Sequence, residues 1–233
     1  MSTAGPGRPR LAAPRRPGRT TRAEILDAAA ELFVSHGFSA TSTRSIAEAV
    51  GIRQASLYHH FATKEHLLTA LLADTVDAPN RVATQLLERS SDPADVRLYA
   101  LCLFDAGHLN AGRWNLGALY LLPELRGEQF ADFRGQRQVL RERYHRLASA
   151  ALAELRPGPG DTATLLAELP FRIVESVIDV RSDADSPDPG QPVILPAQLV
   201  AETCLRAVGH AGPDTELCRQ AQELLTELDV ALP

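Results

Sequence analysis

The stretch Thr43–Phe61, TRSIAEAVGIRQASLYHHF, gathers cationic and hydrogen-bonding side chains around a single acid, Glu48. Within it Arg53, Gln54 and Ser56 stand almost side by side. A guanidinium can donate two hydrogen bonds to guanine, and a carboxamide can pair with adenine, so this set suits the reading of base edges. The apolar residues around it are spaced to present such a set. Ala47 is small where two helices must touch, Gly51 four positions later is free of Cβ strain at a turn, and Leu57 stands ten after Ala47. Ile46, Val50 and Ile52 complete the seam. Six positions in register predict a helix-turn-helix rather than an ordinary helical hairpin.

Charge points the same way. Residues 1–64 hold nine basic side chains against four acidic ones, although the whole chain of 233 residues carries a net charge of −5. A basic N-terminal end on an acidic body suits a polyanion met at one end only. Lys64 is the only lysine; every other cation of this kind is arginine. Composition excludes several classes. Aromatics are 5%, thin for a sandwich or barrel, and 45% hydrophobic residues can build a sizeable core. No apolar run approaches the roughly 20 residues that span a bilayer, and no apolar signal segment follows the first arginines, so membrane insertion and secretion are not expected. Cys102, Cys204 and Cys218, widely spaced, make neither a disulfide framework nor a metal knuckle, and a reducing cytoplasm is the expected location. His36, His108, His145 and His210 are scattered, and the adjacent His59 and His60 diverge on a helix, so no metal and no cofactor is expected. The chain has no nucleophile elbow, zinc-protease motif or phosphate-binding loop, and it is not expected to be an enzyme.

The elements that must position these residues are all helical. Residues 1–19 mix Pro, Gly and Arg and read as a disordered basic arm. Thr21-Arg22-Ala23-Glu24 has capping-box spacing and opens a helix over 21–36 that Gly37 ends. Helices over 43–50, 54–60 and 63–78 follow, with Thr41 or Ser42 capping the first and Pro79 breaking or kinking the chain after the last. Further helices are predicted near 80–90, 93–109, 114–122, 128–156, 161–181, 196–210 and 214–228. Pro157–Gly160 is a break, and Ser182–Pro196 a surface loop. The fold class is therefore all-α: an N-terminal three-helix DNA-binding domain over 20–72 and a C-terminal helical bundle over 73–233.

The segment Arg22–Leu72 resembles the DNA-binding domain of the TetR family of bacterial regulators. The matching pieces are ILDAAAELFVSHGFSATSTRSIAEAVGI, LYHHF, and Lys64-Glu65 opening the next helix. The resemblance implies a dimeric regulator, most often a repressor, whose second domain binds a small molecule. It also implies that the second helix of the motif lies in the major groove, with Arg53, Gln54 and Ser56 toward base edges and Ala55 against a thymine methyl. Thr43, Arg44, Tyr58, His59, His60 and Lys64 resemble the family's phosphate-contacting set. Two positions depart from the family. Arg53 stands where a capping Ser is common, and Ala55 where Gly is common.

In the second domain, residues 161–181 are apolar on more than one face, which suits a helix buried on several sides, one of them against a second copy. Phe104, His108, Asn110, Trp114, Asn115, Tyr120 and Glu175 mix aromatic faces with polar handles and are the expected lining of a small-molecule pocket. Arg134, Arg137, Arg141, Arg143 and Arg146 read as a solvated face. The partners expected are double-stranded DNA with a palindromic operator, a small effector and a second copy of the chain. Two rival readings remain: a ligand-independent DNA-binding structural protein, and a helical enzyme that retains a DNA-binding head.

Overall fold

The computed structural model describes residues 16–18, 20–155, 162–184 and 194–232. Most of the expected arm, the Pro157–Gly160 break and most of the Ser182–Pro196 loop lie outside them. Among the described residues every regular element is helical, in ten α-helices and three short 3-10 turns. The chain separates into two compact units, residues 1–68 and 69–233.

The first unit holds α1 (Thr21–His36), α2 (Thr43–Val50), α3 (Gln54–Tyr58) and the opening of α4 (Lys64–Glu88). Its core is Ile25, Ala28, Ala29, Phe33, Phe38, Ile46, Ala47, Val50, Leu57 and Phe61, all buried. The cap of α1 lies one residue before the expected box. Thr20 accepts from the Ala23 N–H at 3.2 Å, while Thr21 is already helical. Ser42, not Thr41, caps α2, in a reciprocal box with Ser45 at 3.0 and 3.1 Å. Thr41 cannot serve because it is buried, its hydroxyl held by the carbonyls of Gly37 and Leu32. Gly51 ends α2 at φ 76°, ψ 34°, the left-handed conformation that glycine adopts without penalty. The helix α3 stops at Tyr58, two residues before its expected end, as the N–H groups of His60 and Phe61 both turn back onto the Leu57 carbonyl.

The second unit is built around α5 (Ala94–Ala111), whose residues Val96–Ala106 are buried without interruption. Around it pack α6 (Ala131–Leu155), α8 (Leu169–Ala184), α9 (Ala197–Ala207) and α10 (Thr215–Glu227), with α7 (Ala163–Ala167) against α6 and α8. Three sequence expectations change here. Helix α4 does not break at Pro79 but runs on to Glu88. Tertiary contacts outweigh the missing N–H, since Asn80 donates to the Gln136 carbonyl at 3.0 Å and Arg143 donates to both the carbonyl and the side-chain oxygen of Asn80. The helix expected over 161–181 is two, parted at Glu168, because Pro170 in the first turn of α8 has no N–H to continue the preceding helix. The segment near 114–122 is 3-10 rather than α-helical, over Leu116–Leu121.

The arginines of α6 are not one solvated face. Arg134 donates to the carbonyls of Leu125 and Gly127 at 2.5 and 2.7 Å, Arg137 pairs with Glu175, and Arg141 pairs with Glu168 at 2.8 Å. With Arg143 on Asn80, four of the five tie α6 to neighbouring segments. Their residue type was legible in the sequence; their partners, 27 or more residues away in three of the four cases, were not.

Loss of the α2 cap gives a direct check. Ser42→Ala should lower the stability of the first unit by about 1 kcal/mol. Chemical denaturation followed by circular dichroism would show this as a lower midpoint at unchanged slope.

Candidate nucleic-acid interface

Only five residues make up α3, too few to hold a helix in water without tertiary support. Leu57 supplies that support: it is fully buried, and α3 packs against α2. With Leu57 inward, Arg53, Gln54, Ala55, Tyr58, His59 and His60 are exposed and Ser56 is half-buried. Arg53 precedes α3 in extended conformation and makes no side-chain cap, so its guanidinium is not spent on the helix end.

Three of the expected contact residues engage one another. Gln54 Nε2 donates to Thr43 Oγ1 at 2.9 Å and reaches Tyr58 OH at 3.4 Å, and the two hydroxyls are 3.1 Å apart. Arg44 is exposed and donates to Glu48 one turn on at 2.9 Å. Lys64 is placed differently from the others. Its ammonium donates to the carbonyls of Phe38 and Thr41 at 2.7 and 2.9 Å and lies 4.2 Å from the centre of the Phe38 ring. Two of its three protons thus hold the loop before α2, leaving one for an outside acceptor. Arg16, expected in a free arm, is docked: it pairs with Asp27 at 2.9 Å and Glu31 at 2.5 Å and donates to the Ala49 carbonyl. Arg22 stacks on Phe61, 4.6 Å from the ring centre. Sequence reasoning missed both roles; the i, i+4 pair Asp27 and Glu31 on α1 was the available signal for the first.

The seven expected pocket residues of the second unit are divided among several places. His108 and Trp114 line one cavity of about 240 Å³ with Asp74, Thr75 and Gly117. Phe104 stacks on His108 at 5.9 Å but faces a second cavity of about 730 Å³, bounded by Arg81, Gln85 and the C-terminal Leu228–Ala231. Asn110 and Asn115 tie backbone together, donating to the Leu195 carbonyl at 3.0 Å and the Ile178 carbonyl at 2.8 Å. Tyr120 donates to Thr75 Oγ1 at 2.6 Å and lies under Arg137, which in turn pairs with Glu175. One acid escaped notice. Asp105 is buried in α5, accepts from Tyr144 OH at 2.8 Å, and burial pushes its carboxyl up to about 7. Its sequence signal was a single acid inside the apolar run LYALCLFDA. Among the described residues no His, Cys, Asp or Glu cluster suits a metal ion.

Residues 25–71 match the model of bacterial regulatory proteins, tetR family. The solved structure of Mycobacterium smegmatis AmtR is 53% identical and superposes at a TM-score of 0.80, covering 95% of this chain and 100% of that one. The chain belongs to the TetR family. Among curated relatives, the HTH-type transcriptional repressor KstR2 of Mycolicibacterium smegmatis is 38% identical over 74 residues, 32% of this chain and 36% of the relative. KstR2 of Rhodococcus jostii is 48% identical over 56 residues, 24% of this chain and 28% of the relative. The match thus spans about a third of the curated relatives' length. The structure of KstR2 of Mycobacterium tuberculosis, 22% identical at a TM-score of 0.62 over 85% of this chain and 98% of that one, shares the fold. No helix among the described residues is long and apolar enough to cross a membrane.

The buried acid makes stability depend on pH. A carboxyl whose folded pKa is raised to about 7 binds its proton more tightly in the folded state, so folding is favoured at low pH and weakened as pH rises through that value. Wild-type stability should fall between about pH 4 and pH 7, by at most roughly 1.4 kcal/mol per pH unit from this group. In Asp105→Asn that fall should flatten in urea unfolding across the same range, and an unchanged slope would remove Asp105 as its source.

Proposed function

We propose that this TetR-family protein is a homodimeric, cytoplasmic, sequence-specific DNA-binding repressor, released from a palindromic operator by a small-molecule effector. The observation that carries the proposal is the exposed set Arg53, Gln54 and Ala55 at the start of a short helix that is anchored by buried Leu57. A helix presented this way enters the major groove with its N-terminal residues toward base edges. Thr43, Arg44, Tyr58, His59, His60 and the remaining proton of Lys64 then serve phosphate oxygens, which position the head without reading sequence. The names of the similar repressors support the same reading.

Pairing is supported by apolar side chains left in solvent on consecutive helices. Leu165 on α7, Leu169 on α8 and Leu199 on α9 are 68%, 39% and 48% exposed. An isolated exposed leucine needs no explanation, but several on helices that pack against one another support the reading of an association surface. A two-fold dimer presents two recognition helices to half-sites roughly 34 Å apart. An effector acts by binding better to the dimer conformation that cannot span that distance, since only differential affinity shifts such an equilibrium. The cavity lined by His108 and Trp114 together with Asp74, Thr75 and Gly117 is the proposed site of that effector.

Selection of bound duplexes from a random pool at two salt concentrations tests the DNA reading. A palindrome should be enriched, whereas sequence-blind binding that fades with salt would favour a DNA-binding structural protein instead. Arg44→Ala should weaken binding to every sequence and reduce the salt slope by about 1. Trp114, the only tryptophan, reports on the effector site. A compound that dissociates the operator complex should change its fluorescence, and release without any such change would place the effector elsewhere.

A further inference from the structure

We infer that Thr43 and Tyr58 set the orientation of Gln54, so that its carboxamide presents only its oxygen to DNA and selects bases carrying an exocyclic amine in the major groove. The inference rests on the DNA-reading proposal above and adds to it a specific base class. Gln54 and Tyr58 open and close α3 one turn apart and therefore share a face. Thr43, the first residue of α2, reaches into that face. The three polar groups close a ring: Nε2 to Thr43 Oγ1 at 2.9 Å, Nε2 to Tyr58 OH at 3.4 Å, and hydroxyl to hydroxyl at 3.1 Å.

A carboxamide nitrogen has two protons, and Nε2 has these two acceptors within reach, at 2.9 and 3.4 Å. The group left for an outside partner is Oε1, an acceptor. In the major groove adenine N6 and cytosine N4 are donors, whereas guanine O6 and thymine O4 are acceptors that would face Oε1 with like polarity. A free glutamine pairs with adenine through both its atoms, Oε1 to N6 and Nε2 to N7. Held by Thr43 and Tyr58, Gln54 loses the second of these bonds, and with it the distinction between adenine and cytosine. Thr43 and Tyr58 are on this account positioning residues that act through Gln54, in addition to any contact with phosphate.

The test is duplex selection repeated with wild type, Gln54→Ala, and the double variant Thr43→Val/Tyr58→Phe. The base pair whose preference collapses in Gln54→Ala identifies the position read. At that position the wild type should accept adenine and cytosine and reject guanine and thymine about tenfold, the equivalent of about 1.4 kcal/mol. The double variant frees Nε2, so its preference should narrow to adenine alone. Overall affinity should fall for every sequence as two phosphate contacts are lost, while the salt slope stays near the wild-type value because no charge has been removed. A wild-type preference for guanine or thymine at that position would overturn the inference, as would a double variant with unaltered base preference. Failure of Gln54→Ala to affect any position would do the same. If no protein enriches any sequence, the DNA-reading proposal itself falls, and this inference with it.

Discussion

Burial of Leu57 is the constraint on which the interface depends. A five-residue helix has no stability of its own, and its direction is set by the one side chain it buries. Gly51 brings the chain around after α2 in a conformation closed to most residues, and Ala47 leaves room at the point of contact. Once these three are in place, which residues of α3 face outward follows from helical geometry. Arg53 and Gln54 owe their exposure to Leu57 more than to their own polarity.

Around that anchor the polar residues have divided roles that their chemistry alone does not reveal. Lys64 and Arg44 are both cations in the basic end of the chain. Lys64 is drawn onto two carbonyls and the face of Phe38, while Arg44 remains exposed on α2, paired with Glu48. Arg16 is captured by Asp27 and Glu31. A count of charges therefore overstates the positive charge the head can offer to a polyanion, and the residues free to meet DNA are fewer and more specific.

The second unit follows a different rule. Its centre is α5, buried along most of its length, so the polar groups within it must find partners inside the fold. Asp105 does so with Tyr144, and Arg97 with the carbonyls of Asp92 and Leu86. The sequence pointed instead to residues 161–181 as the helix surrounded on several sides. The apolar residues there are divided by Pro170 between two helices, and Leu165 and Leu169 remain exposed while Val174 and Val177 are buried. Hydrophobicity marked both segments, but only packing decided which would be the core and which would keep an apolar surface.

Sequence alone was sufficient for the local features: the all-helical class, the helix-turn-helix, the stop at Gly51, and the inward and outward positions of α3. Each depends on residues within about ten positions, where capping, glycine conformation and helical periodicity act directly. The tertiary structure decided what depends on distant partners. It carried α4 through Pro79, moved Lys64 onto the Phe38 loop, tied the α6 arginines to segments they could not be matched with by spacing, and distributed the seven expected pocket residues among separate cavities and ties. The physical reason is the same in each case. A buried polar group or missing hydrogen bond is compensated by whichever partner the packing brings near, and for these residues that partner lies many positions away in the chain.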